Sequence, residues 1–184
     1  GAGGFTAGTG TVTFQGSTGT QTLSGNTTFN NLTLNNAGAT TNFGNTTTTI
    51  GNDLVASAGT MDGSTSTIIF TGVTDNAGAI NGAAAKNFFN LQINSPATIT
   101  NNSGANITIE NNYINGGTFN QGAGLTTIFD VDNTADGAHT LSGAGTTTFG
   151  NFTINASNAV DAGSHNFNVI GSAFTSTGSF TGNT

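Results

Sequence analysis

The sequence contains no cysteine, no tryptophan and no arginine, with one lysine (Lys86) and one proline (Pro96). Without cysteine there is no disulfide framework and no thiolate zinc site. One cation stands against eight carboxylates, for a formal charge of −7. Nucleic-acid binders need lysines and arginines to neutralise phosphates, so nucleic acid is excluded as a partner. Adhesion to an anionic membrane surface is excluded on the same ground. No apolar run approaches the roughly 20 residues of a membrane-spanning helix, so no membrane insertion is expected. Neither a signal peptide nor an initiator Met is visible. The sequence opens at Gly1, as expected of a processed chain or a piece of a longer one.

What fills the space is Gly, Thr and Asn, which supply about half of the 184 positions, while charged residues supply only 5%. Scarce charge, 14 Phe and regularly placed Ile, Leu and Thr do not match the low-hydrophobicity, high-charge signature of disorder. Thr and Phe favour strands, and Asn and Gly favour turns. The one alanine cluster, 83–85, is too short for a helix. The expectation is an all-β chain of short strands, with 11–14, 31–34, 46–50 and 67–70 as the clearest runs.

A motif recurs three times. Phe29-Asn30-Asn31-Leu32-Thr33-Leu34-Asn35 matches Phe88-Phe89-Asn90-Leu91-Gln92-Ile93-Asn94 and Phe149-Gly150-Asn151-Phe152-Thr153-Ile154-Asn155, at nearly even intervals along the chain. Further anchors keep the same order. Phe14, Phe70 and Phe129 lie upstream; Ile50, Ile109 and Ile170 each follow the motif's last Asn by one and the same interval. Gly59-Thr60-Met61 then pairs with Gly117-Thr118-Phe119 and Gly178-Ser179-Phe180. Within the motif the apolar residues alternate with polar ones, the period of a half-buried strand. Short strands with one apolar face and no helices either coil or form a sandwich, and a long repeat with strands in matching places favours coiling.

The expected fold is therefore a parallel β-helix, a β-solenoid, occupying residues 1–184 as one domain. Repeats run over 3–58, 59–116 and 117–177, and 178–184 starts a fourth. At about 20 residues per coil, each repeat makes about three coils, nine or ten in all, about 45 Å long. On that reading Phe29, Phe88 and Phe149 stack in one column, Leu34, Ile93 and Ile154 in another, and Asn31, Asn90 and Asn151 form an amide ladder.

Set among Gly-Thr-Asn turns, the Phe-x-Asn-Leu-Thr-Ile-Asn motif resembles the repeats of bacterial secreted surface proteins: filamentous-haemagglutinin-like adhesins, autotransporter passengers and similar arrays. The resemblance covers essentially the whole chain and implies a right-handed β-helix on the cell exterior, used for adhesion or as a stalk or fibre. It carries over no catalytic motif.

Phe5 stands at the phase of Met61 and Phe180, so the chain begins at the point of the repeat where it ends. Open solenoid ends present unpaired strand edges, and no capping helix is visible. Two readings follow. Copies stack head to tail into a homopolymer through end residues Phe5, Phe14, Phe174 and Phe180, a heterologous contact that does not close. Alternatively, the chain is a stretch of an adhesin stalk that binds a surface or carbohydrate ligand.

Chemistry-bearing constellations are few. Asp130, Asp132 and Asp136 cluster in a segment longer than its counterparts in the other repeats. Such oxygen ligands suit Ca²⁺, the one cofactor the sequence suggests; the competing reading is a solvated turn. Asp130 onward departs from an EF-hand, with Ala135 at the position that requires Gly. Polysaccharide-active β-helix enzymes use paired carboxylates with a cation, and Lys86, the sole candidate, reads as a solvated loop residue. His139, at the slot of Gln21, reads as an outward polar residue, and His165 stands without a nearby carboxylate. No enzyme is expected. Runs of Thr at 46–49, 65–67 and 146–148 raise ice binding as a further alternative, but they vary in phase along the sequence.

Overall fold

The computed structural model describes residues 5, 7–72, 77–101, 104–129, 139–155 and 159–182. Among them there is no helix, and 22 strands wind through eight successive coils. The first coil holds β1 (Thr11–Gln15), β2 (Thr20–Thr22) and β3 (Thr27–Phe29). The next two hold β4 (Asn31–Asn42) with β5 (Thr47–Ile50), and β6 (Leu54–Asp62) with β7 (Thr67–Phe70). Coil four holds β8 (Ala77–Asn81), β9 (Lys86–Phe88) and β10 (Asn90–Ile93); coil five holds β11 (Thr98–Asn101), β12 (Ile107–Ile109) and β13 (Tyr113–Asn115). Coil six holds β14 (Thr118–Gln121), β15 (Thr126–Phe129) and β16 (His139–Ser142). The last two hold β17 (Thr146–Phe149), β18 (Asn151–Ile154) and β19 (Ala159–Gly163), then β20 (Phe167–Val169), β21 (Phe174–Ser176) and β22 (Ser179–Gly182).

Every pairing joins a strand to the parallel strand one turn later, giving a three-faced solenoid. The third face is a sheet of eight strands, β3-β5-β7-β10-β13-β16-β19-β22. The long strands β4 and β6 run around a corner, so each serves both the first face, with β1, and the second, with β2 and β9. From β1 to β20 the chain makes seven turns, about 34 Å at the usual strand spacing. This replaces the nine or ten shorter coils expected from the sequence. The turn length varies along the chain: Thr11 faces Asn31 and Leu32 faces Leu54, whereas Leu54 faces Ile80 and Tyr113 faces Leu141, progressively wider steps in sequence. Most of the extra residues sit at corners, while the pairing itself shifts register at Asp161–Gly163 and along β4.

The sequence repeat does not coincide with a whole number of turns. Its motif strand is β4 on the first face, β10 on the third and β18 on the second. Counting β4 and β6 twice, eight strand positions separate β4 from β10, and eight more separate β10 from β18. Eight positions on a three-faced coil are two and two-thirds turns. Phe29, Phe88 and Phe149 are therefore buried on three different faces and do not form a column. The same correction applies to Leu34, Ile93 and Ile154. Columns instead join residues one turn apart, such as Phe29, Ile50, Phe70 and Ile93.

The motif asparagines do the same work on each face without stacking on one another. Asn31 Oδ1 accepts the Asp53 backbone N–H at 3.2 Å, Asn90 Oδ1 that of Asn112 at 3.2 Å, and Asn151 Oδ1 that of Ala173 at 3.1 Å. Each bond reaches 22 residues forward and satisfies a corner N–H that the sheets leave out. Glycine allows close packing where corners stack. Gly82 and Gly104 have φ of +95° and +96°, and a Cβ on either would collide with the backbone of the coil before it, at Ala56 and Gly82 respectively.

Inside, alternation buries one side chain in two. Patterns such as intermediate–buried–intermediate–buried recur in β5, β7, β10, β11, β14, β15 and β18. The core is aliphatic in its middle and aromatic toward the last coils. There Tyr113, Phe119, Phe149, Phe152 and Phe167 form a chain of ring contacts.

Candidate functional site

Two polar groups that the sequence reading sends outward, Lys86 and His139, lie inside the solenoid, as does His165. Lys86 opens β9 and is fully buried. Its Nζ donates to the carbonyls of Gly82 at 2.6 Å and Ala84 at 2.9 Å. Desolvation by burial lowers its pKa to about 8. His139 is also buried, pointing inward on β16 beside Leu141, with Nδ1 3.1 Å from the Asn111 carbonyl. His165 lies in a buried network: Nε2 is 2.9 Å from Thr147 Oγ1 and Nδ1 is 2.9 Å from the Gly143 carbonyl. Asn115 Nδ2 donates to the same Thr147 oxygen at 2.8 Å, and the Tyr113 hydroxyl lies 3.0 Å from it. Burial pushes the Tyr113 phenol well above the ordinary tyrosine range, against the pull of its bonds to Thr147 and Asn115. These groups bond to hydroxyls, amides and backbone rather than to carboxylates, the arrangement of a satisfied core.

The acidic segment with Asp130, Asp132 and Asp136 lies outside the described residues. Among the described residues no group of three or more His, Asp or Glu is placed to hold a metal ion, and no helix is long and apolar enough to cross a membrane.

Among the described residues four of the five large exposed apolar side chains lie at the two ends, the fifth being Ile114 on a middle coil. On the last coil Phe174 packs on Phe152 with centroids 5.4 Å apart and planes at 16°, and Phe180 meets Phe174 at 5.8 Å and Phe167 at 6.0 Å, both edge-on. Phe174 is 50% exposed, Ile170 55% and Phe180 38%. The repeat supplies an internal control. Ile50 and Ile109, equivalent to Ile170, are exposed by no more than 1%; so are Leu54 and Tyr113, equivalent to Phe174, and Met61 and Phe119, equivalent to Phe180. The same positions are buried wherever another coil follows.

At the other end Phe14 is half-buried, 6.2 Å from Phe29 and perpendicular to it, and the 55% exposed Phe5 sits 5.8 Å from the same ring. With Val12, Leu23 and Thr27 they line an apolar recess of about 170 Å³. The structure thus puts Phe5 with Phe14 and Phe174 with Phe180, one pair at each end. Sequence reasoning missed Phe167, Ile170 and Leu23. Alternation in Phe167-Asn168-Val169 and the repeat phase of Ile170 were the signals that mark them.

A third surface is polar and uncharged. On the first face Thr98, Thr118 and Thr146 are neighbours in register, as are Thr100, Asn120 and Thr148. They alternate with the buried Ile99, Phe119 and Thr147 and so point outward. Unequal turn lengths hid this alignment in the sequence. Compared with known proteins, the chain matches no protein family, no curated protein and no solved structure.

Proposed function

We propose that the chain is a structural building block of the cell exterior, a β-solenoid unit that stacks head to tail along its axis into a filament. The role is mechanical rather than catalytic. One observation carries the reading: Ile170, Phe174 and Phe180 are exposed on the last coil, whereas their repeat equivalents are buried under a following coil. Burying apolar surface is worth about 25 cal/mol per Å², and the open strand edges of both end coils add unpaired backbone groups that favour pairing. A contact between unlike ends propagates without closing. Low charge leaves little repulsion between copies, since −7 is spread along the rod. The resemblance to secreted surface repeats agrees with an extracellular location. Sedimentation and negative-stain microscopy across a concentration series test the proposal. Rods that lengthen with concentration are expected; a single species of one chain at every concentration overturns it.

A second reading, a stalk segment of an adhesin, draws support from the Thr and Asn face of β11, β14 and β17. In-register rows of hydroxyls and amides suit a polyhydroxyl surface such as a polysaccharide. Thr118→Lys abolishes glycan binding on that reading and leaves filament growth intact on the first.

A further inference from the structure

Resting on the end-to-end reading, we propose that the junction forms in the register of the solenoid itself, with Phe180 of one copy taking the place that Phe5 holds on the next. Among the described residues 22 strands, with β4 and β6 each serving two faces, fill twenty-four positions. Eight positions make a repeat and three make a turn. Twenty-four is a whole number of both, so a second copy placed on the last coil without rotation continues the winding and the sequence pattern together. β22 carries the phase of β14, since Phe180 is equivalent to Phe119. β1 carries the phase of β15, since Phe14 is equivalent to Phe129. β15 directly follows β14 in the chain, so a β1 laid beyond β22 is the strand the repeat calls for next.

This register has a consequence for Phe5. It shares its phase with Met61, Phe119 and Phe180, so at a junction Phe5 of the incoming copy and Phe180 of the preceding one claim one place. In the single chain Phe5 lies over Phe29, partly filling the recess with Phe14, Leu23 and Thr27. It is half-exposed there and gives way to Phe180, which arrives with a strand already paired to β19. Phe5 is thus a placeholder that shields the recess before docking. The occupant is a second copy of this chain, selected by the phase of its strands.

Because the chain lacks cysteine, introduced thiols report the junction directly. Along the second face one file of outward residues runs through Asn87, Thr108, Ile128, Thr153 and Thr175. Val55 and Ile114, which share the phase of Thr175, face Asn81 and Ser142 one turn on; Ser24 shares the phase of those two, so the neighbour of Thr175 across the junction is the exposed Ser24 of the following copy. Ser24→Cys with Thr175→Cys is expected to give a ladder of intermolecular disulfides on mild oxidation, and Thr13→Cys with Thr175→Cys, on different faces, is expected to give none. Phe5→Ser is expected to lower the concentration needed for assembly several-fold, and Phe180→Ser to raise it. Circular dichroism checks that each variant is folded. Cross-linking by the Thr13 pair in place of the Ser24 pair, or weaker assembly of Phe5→Ser, overturns this junction while leaving an end-to-end filament standing. No assembly by the parent chain or any variant overturns the filament reading as well.

Discussion

Phe174 lies on Phe152 with ring centroids 5.4 Å apart and 16° between their planes, yet half of Phe174 is exposed while Phe152 is fully buried. The two rings are neighbours in one column, Thr127, Phe152, Phe174, and differ only in whether a further coil covers them. That difference separates residues that stabilise the single chain from residues that join chains. Phe149, fully buried against Tyr113, Phe119, Phe152 and Phe167, belongs to the first kind. Phe149→Ala is expected to cost about 3–5 kcal/mol in denaturant unfolding. A loss below about 1 kcal/mol, the range of surface substitutions, contradicts the assignment. Phe174→Ala, by contrast, is expected to leave the unfolding midpoint of the lone chain nearly unchanged and to weaken assembly.

Corner glycines give a second prediction. Gly104 has φ of +96°, and its missing Cβ is what lets it pass the Gly82 carbonyl one turn below. Gly104→Ala adds both backbone strain and a collision, and is expected to cost more than about 1 kcal/mol. Gly124, exposed in a turn with open space where a Cβ would stand, is the control, and its replacement by Ala is expected to be near neutral. Equal effects at both positions contradict the stacked-corner geometry.

Lys86 makes stability depend on alkaline pH. Burial lowers its pKa from 10.5 to about 8. Between those values the unfolded chain binds a proton that the folded chain does not, so folding stability rises with pH across the window. Above about pH 10 the upward-shifted Tyr113 acts in the opposite sense. The unfolded phenol ionises first, and stability falls. A stability maximum is expected at about pH 10 in thermal melts. Lys86→Met, an unbranched apolar side chain one atom shorter, is expected to remove the rise and keep the fall. A melt insensitive to pH across the window between the two lysine values contradicts the buried-lysine assignment.

Asn101 offers a stabilising substitution. It is fully buried and pairs in register with Gln121. Neither Asn101 side-chain atom, Oδ1 or Nδ2, has a hydrogen-bond partner among the described residues. An unsatisfied buried polar group costs about 1–3 kcal/mol. Asn101→Leu, with the same branching and number of heavy atoms, is expected to raise the unfolding midpoint; a clear loss of stability contradicts the assignment of an unbonded amide.

The winding fold was legible in the sequence because alternation and a triple motif are local signals that survive without knowledge of the path. The path was not legible. Sequence spacing reports strand order, and only the corner lengths say how many strands make a turn. Those lengths vary: Thr11 finds its neighbour one turn on at Asn31, but Thr118 finds its own only at Thr146, a wider step. Hence the motif aligns Phe29, Phe88 and Phe149 in sequence while they occupy three faces. Lys86 and His139 teach a different lesson. Period two places Lys86 with Phe88 and His139 with Leu141, both inward. The expectation that charged and polar side chains seek water overrode a pattern that was correct. Of the end residues, Phe5 and Phe180 were marked by their phase, whereas the recess that Phe5 shares with Phe14, Leu23 and Phe29 needed coordinates.

Electron cryo-microscopy of the concentrated protein separates an in-register filament from lone rods. Unbranched rods are expected, with strand layers about 4.8 Å apart and the three faces running unbroken through each junction, one chain for every eight layers. Particles one chain long, or rods whose faces turn or break between subunits, contradict the in-register filament.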